Sequence, residues 1–180
     1  MEKIMIRSTV FVFAAVLHLS SALLAQNNMN PTVSGEVKQN YTRTKDLILR
    51  AAAKMPEDGY SLKATPEVRT FAQAIGHISE AQAMICGGIV GQQARADTSK
   101  TAKADVIAEL KKSFDVCDRA YESINESNVS LVGGAGFMGG TLAGRLYGNL
   151  IHDNEMYGTI VVYLRLKGIV PPSSEGRGGR

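Results

Sequence analysis

Six apolar residues, Ile107, Leu110, Phe114, Cys117, Tyr121 and Ile124, recur at steps of 3, 4, 3, 4 and 3. Because three and four residues bracket one helical turn, that alternation keeps all of them on one face of an α-helix. A strand would need an alternation of period two, which is absent here. The spacing predicts a helix over about Ala102 to Ile124, and a helix with a single apolar seam needs neighbours to bury it.

Three further segments supply them. Val37, Tyr41, Thr44, Ile48, Ala51 and Met55 form a stripe between about Ser34 and Met55, ended by the turn chemistry of Pro56-Glu57-Asp58-Gly59. Thr70-Phe71-Ala72-Gln73 has the capping-box pattern, so a second helix starts at Phe71. Its stripe is Phe71, Ile75, Ile78 and Ile85, and Gly87, Gly88 and Gly91 are expected to weaken its end. A fourth helix, about Thr141 to Lys167, carries Leu142, Leu146, Asn149, His152, Met156, Ile160 and Tyr163 on one face. Gly168 and Pro171-Pro172 close it. Four amphipathic helices without strands predict an all-α four-helix bundle. The composition, 44% hydrophobic and 21% charged, is that of a globular chain with one core.

The amino terminus has a separate logic. Lys3 and Arg7 precede an uncharged apolar run from Ser8 to Leu17, and Ala22-Leu23-Leu24-Ala25 offers a small residue for cleavage. The run is shorter than the roughly 20 residues a membrane span requires, so it predicts a secretory leader. The expected divisions are a signal peptide over 1–25, a bundle over 26–168 and a flexible tail over 169–180. The expected location is the periplasm or the extracellular space, with no membrane attachment after cleavage near Ala25. Losing Lys3, Arg7 and Glu2 lowers the formal charge from +3 to about +2. Basic residues are interspersed with acids, as in Glu109-Leu110-Lys111-Lys112, which argues against nucleic acid as a partner. A small molecule, or a second copy docked on a bundle face, stays open.

The mature chain keeps two histidines, His77 on the second helix and His152 on the fourth. Each has a glutamate three residues later, Glu80 and Glu155, so two imidazoles and two carboxylates can converge within a bundle. Such donors suit zinc, nickel, iron or manganese; the alternative is a pair of hydrogen-bonded core histidines beside solvent-facing glutamates. Cys86 and Cys117, on the second and third helices, can form a disulfide in an oxidising compartment, stapling antiparallel neighbours, or pack as small apolar residues. The leader favours the bridge. The stretch Val132 to Gly140 lacks the Gly-Lys-Ser/Thr ending and the preceding strand of a phosphate loop, and reads as a flexible connection.

Lys54-Met55-Pro56-Glu57-Asp58-Gly59-Tyr60-Ser61, then Thr65-Pro66-Glu67-Val68-Arg69-Thr70-Phe71 and Ile75-Gly76-His77-Ile78, resembles the DinB-like, YfiT-related superfamily. His152-Asp153-Asn154-Glu155-Met156-Tyr157-Gly158 and Val161 to Ser173 resemble its exported branch more closely still. The resemblance implies a bundle of up-up-down-down order and a divalent metal held by three histidines. His77 matches the first ligand and His152 the second; the third falls at Met156, a thioether that suits hard or borderline ions poorly. Two histidines with a water, or with Glu155 or Glu80 turned inward, are then the candidate ligand sets, and they would hold an ion weakly or not at all. Characterised relatives include thiol-dependent transferases and isomerases. Two readings follow: a protein with an incomplete metal site and an unidentified reaction, or a non-catalytic bundle that binds a small apolar ligand or a protein partner. The residues do not decide whether it is an enzyme.

Overall fold

A computed structural model describes residues 31–133 and 140–176; the expected leader lies outside the described residues. Four helices carry the fold: α1 (Val33–Lys54), α2 (Phe71–Ile89), α3 (Lys103–Ser123) and α4 (Leu142–Leu166). Short 3-10 turns at Glu57–Ser61 and Pro172–Ser174 follow α1 and α4. The Gly-rich stretch is framed by a short antiparallel pair, β1 (Val132–Gly133) and β2 (Gly140–Thr141), where only a connection was expected. No described helix is long and apolar enough to cross a membrane.

The stripes read from the sequence are the buried faces. Tyr41, Ile48 and Ala51 of α1, Phe71, Ile75 and Ile78 of α2, Leu110, Phe114, Cys117 and Tyr121 of α3, and Leu146, Ile160 and Tyr163 of α4 meet in one core. Tyr41 stacks on Tyr121 with ring centroids 3.7 Å apart, tying α1 to α3. Tyr60, Phe71 and Tyr163 pack edge to face at the other end. Aromatic pairs of this kind add about 0.5–1.5 kcal/mol beyond their area.

The helix directions correct the expected order. Ser34 meets Glu126, Tyr41 meets Asp118 and Lys103 reaches the carbonyl of Ala53, so α1 and α3 are antiparallel. Gly88 lies beside Arg145 while Tyr163 donates to the carbonyl of Arg69, so α2 and α4 are antiparallel too. Between α2 and α3, however, Gln82 pairs with Ser113 and Cys86 with Cys117, and both numbers rise together. These neighbours are parallel, and the bundle runs up-down-down-up rather than up-up-down-down. The cause is the segment after Ile89. Gly91 takes a φ of +68°, a left-handed turn suited to glycine, and the chain doubles back along α2 until Thr98 lies against Gly76. The amide of Lys103 then meets Glu57 at the end where α2 began.

Two smaller expectations change. The glycines do not fray α2 before Ile89: Gly87 is buried, its carbonyl accepts from Gln92 at 2.8 Å, and a Cβ there would lie 2.6 Å from the Gln92 carbonyl oxygen. The segment beyond Gly168, expected to be flexible throughout, docks as far as Glu175. The amide of Ser173 donates to the Tyr157 hydroxyl at 2.9 Å, Pro171 and Pro172 are buried, and Glu175 pairs with Arg50 and Lys54.

Candidate metal centre

His77 owes its position to the start of α2. The Thr70 hydroxyl accepts from the amide of Gln73 at 3.1 Å, and the Gln73 side chain accepts from the amide of Thr70 at 2.8 Å. This reciprocal cap fixes the first turn, and His77 stands nearly two turns further on. His152 lies in the middle of α4. Both imidazoles are half-buried, their ring centroids 5.2 Å apart and planes at 70°, with the two Nε2 atoms 3.4 Å from each other.

That separation tests whether an ion fits. Two nitrogen ligands about 2.0–2.1 Å from an ion in tetrahedral arrangement stand about 3.3 Å apart, so the pair is already spaced as the edge of a coordination shell. Burial, the nearby Arg69 guanidinium and His152 hold the His77 imidazolium below its ordinary pKa, which favours the neutral ring.

The remaining expected donors stand differently. Met156 is buried one turn beyond His152 and belongs to the core. Glu80 and Glu155 are exposed rather than turned inward. Among the described residues no three His, Cys, Asp or Glu side chains form a metal-holding group. The histidines alone make a two-point anchor. Cys86 and Cys117 are bridged, with Cα atoms 4.9 Å apart, but they staple parallel helices rather than the antiparallel pair expected.

Behind His152 is a polar core that the sequence reading passed over. Asp153 is fully buried; its Oδ2 accepts from Gln82 Nε2 at 3.1 Å, and Gln82 Oε1 accepts from Ser113 Oγ at 2.7 Å. Asp153 Oδ1 and His152 Nδ1 are 3.8 Å apart, too far for a hydrogen bond, and both are buried without a partner among the described residues. Burial raises the Asp153 pKa, with His152 and Gln82 acting in the opposite direction. Next along α4, Asn149 Oδ1 accepts from the Tyr121 hydroxyl at 3.0 Å, beside both sulfurs of the disulfide, while its Nδ2 is a third buried orphan. The signal for these residues was their place on the stripes: Gln82 continues Ile75 and Ile78, and Asn149 lies between Leu146 and His152. A polar residue at an apolar position marks either a buried network or a site.

A family model described as the DinB superfamily matches residues 40–160. The crystal structure of a DinB-like protein from Bacillus cereus ATCC 10987 superposes with a TM-score of 0.65 at 15% identity, covering 80% of this chain and 98% of that one. At that identity the likeness speaks for the fold alone. A comparison with curated proteins gave no match. The matched span holds all of α2 and most of α4, His77 and His152 among them, and the chain belongs to the DinB superfamily.

Proposed function

We propose that this chain is an exported metal-binding protein in which His77 and His152 hold an ion across the α2–α4 seam. The observation that carries this reading is the 3.4 Å approach of the two Nε2 atoms, the spacing two ligands of one ion adopt. When bound, such an ion would act as a Lewis acid and lower the pKa of a coordinated water or thiol.

The chain's own residues prepare the place for it. The cap at Thr70 and the packing of α2 against α4 set the distance between the imidazoles. Asp153, anchored through Gln82 to Ser113, stands 3.8 Å behind His152 Nδ1, and a small shift of either side chain would let it hydrogen-bond the ring and orient Nε2. With two histidines as the anchor, the remaining coordination positions are left to Met156, water or a substrate. Export is supported by the order of Lys3, Arg7, the apolar run and Ala25.

The experiment is elemental analysis of the mature protein purified without chelator, alongside His77→Ala and His152→Ala. The reading requires bound transition metal in the wild type and its loss in both variants. Equal or absent metal in all three proteins refutes it. A second reading, a non-catalytic bundle taking a small apolar ligand, draws on the burial of Met156 in the core. It requires ligand-dependent stabilisation that survives removal of every metal.

A further inference from the structure

We propose that the groove between α2 and the return segment after Ile89, with Arg145 at its rim, binds a small organic anion: a carboxylate or phosphate monoester with an apolar body. This site is separate from the histidine pair and does not depend on the metal-binding reading. Gly88 beside the groove and His77 are eleven residues apart on α2, about 16 Å of helix.

The first observation is a guanidinium held in place without an acceptor. Arg145, in the first turn of α4, is half-buried, and its head lies between two glycines. A Cβ on Gly88 of α2 would stand 3.3 Å from Nη2, and a Cβ on Gly133 of β1 would stand 3.1 Å from Nη1. Glycine at both places lets the backbone close on the group from two sides. A guanidinium has five N–H donors and keeps its charge, so a half-buried one normally meets acceptors. Lys45, also half-buried, is paired with Asp118. Arg145 has no hydrogen bond or ion pair among the described residues.

The second observation is the groove itself. Gly88 also lines a cleft of about 660 Å³, with Met84, Gln92, Gln93 and Arg95. That volume suits a small ligand. Arg95, like Arg145, has no hydrogen bond or ion pair among the described residues. Glu80 is the one acid of the described lining, and it stands about 12 Å along α2 from Gly88, so the end near Arg145 is positive.

These groups set the ligand class. The planar fork of a guanidinium matches two oxygens of a carboxylate or a phosphate. Met84 is 60% exposed in the same cleft, and its flexible thioether side chain adapts to an apolar body of irregular shape.

The test is an NMR titration of the mature protein, with chelator present and salt low, using phenyl phosphate, benzoate, phenol and inorganic phosphate. The proteins are wild type, Arg145→Gln, Arg95→Gln, Gly88→Leu and His77→Ala, each shown to fold by circular dichroism. Phenyl phosphate or benzoate should shift the amides from Gly88 to Arg95 saturably, and the stronger of the two identifies the anionic group. Each arginine variant should bind roughly tenfold or more weakly. Gly88→Leu, which fills the cleft, should abolish binding, and His77→Ala should leave it unchanged. No saturable shift with either anion overturns the proposal, as does binding undiminished in both arginine variants. Phenol as tight as phenyl phosphate removes the anionic class, and inorganic phosphate as tight as phenyl phosphate means an adventitious ion only. Loss of binding in His77→Ala places the ligand at the histidines and overturns the separate site.

Discussion

Cys86 and Cys117 join two helices that run the same way, 31 residues apart in sequence and 4.9 Å apart at Cα. A cross-link closing a loop of that length contributes about 3–4 kcal/mol by restricting the unfolded chain. The double variant Cys86→Ala/Cys117→Ala should therefore fold but lose stability of that order in a urea titration. Both residues have no exposed surface, so reductant should act on the wild type only when denaturant is present. Rapid thiol labelling under native conditions would contradict the buried bridge.

The buried carboxyl of Asp153 leaves a signature in pH. Its pKa is raised above 3.8 on folding, so above that value the unfolded chain releases the proton first and the folded chain binds more. Stability contributed here is present at low pH and falls as pH rises through the folded pKa. His77 has the opposite sign: its pKa is held below 6.5, so its contribution is complete above that value and is lost as pH falls. Melting temperatures from pH 3 to 8 should be flatter on the acid side for Asp153→Asn and flatter just below 6.5 for His77→Gln. Curves parallel to wild type would show that neither group changes its proton affinity on folding.

Two glycine substitutions should move stability in opposite directions. A methyl group on Gly87 would collide with the backbone oxygen of Gln92, where the chain turns back along α2. Gly87→Ala should cost about 1–3 kcal/mol. Gly158 lies inside α4, exposed, with nothing within 4 Å of the same methyl. Gly158→Ala should gain about 0.5–1 kcal/mol, since glycine is the poorer helix former. Denaturation midpoints decide both, and a stabilising Gly87→Ala would mean that the return segment is not packed as described.

Removing the cap at the head of α2 should be felt at the histidine pair. Thr70→Ala deletes the acceptor for the amide of Gln73 and should cost about 1 kcal/mol. Amide hydrogen exchange should then quicken in the first turn of α2 while α3 stays protected. Unchanged exchange at Gln73 would remove the cap from the account of how His77 is held.

The sequence was most legible where structure is local. The seam from Ile107 to Ile124, the cap at Thr70 and the stop at Gly168 depend on near neighbours along the chain, and each lies where its spacing predicts. The course of the chain after Ile89 was not legible, because a polar connection of that length can either turn once or run back the length of a helix. The contact of Thr98 with Gly76 is a tertiary outcome. The site divides in the same way. His77 and His152 were visible as rare residues on apolar faces, whereas Gln82 and Asp153 acquire meaning only when α2, α3 and α4 come together. Glu80 and Glu155 share a spacing with the histidines, but three residues along a helix is a 300° turn, enough to carry each side chain out to solvent.

The parallel course of α2 and α3 has a consequence for the order of assembly. Synthesis completes both cysteines before α4 exists, and only then does Asn149 arrive against the two sulfurs. Once α4 is packed, Asn149 covers both sulfurs, so making or breaking the bond in the finished bundle requires α4 to lift away first.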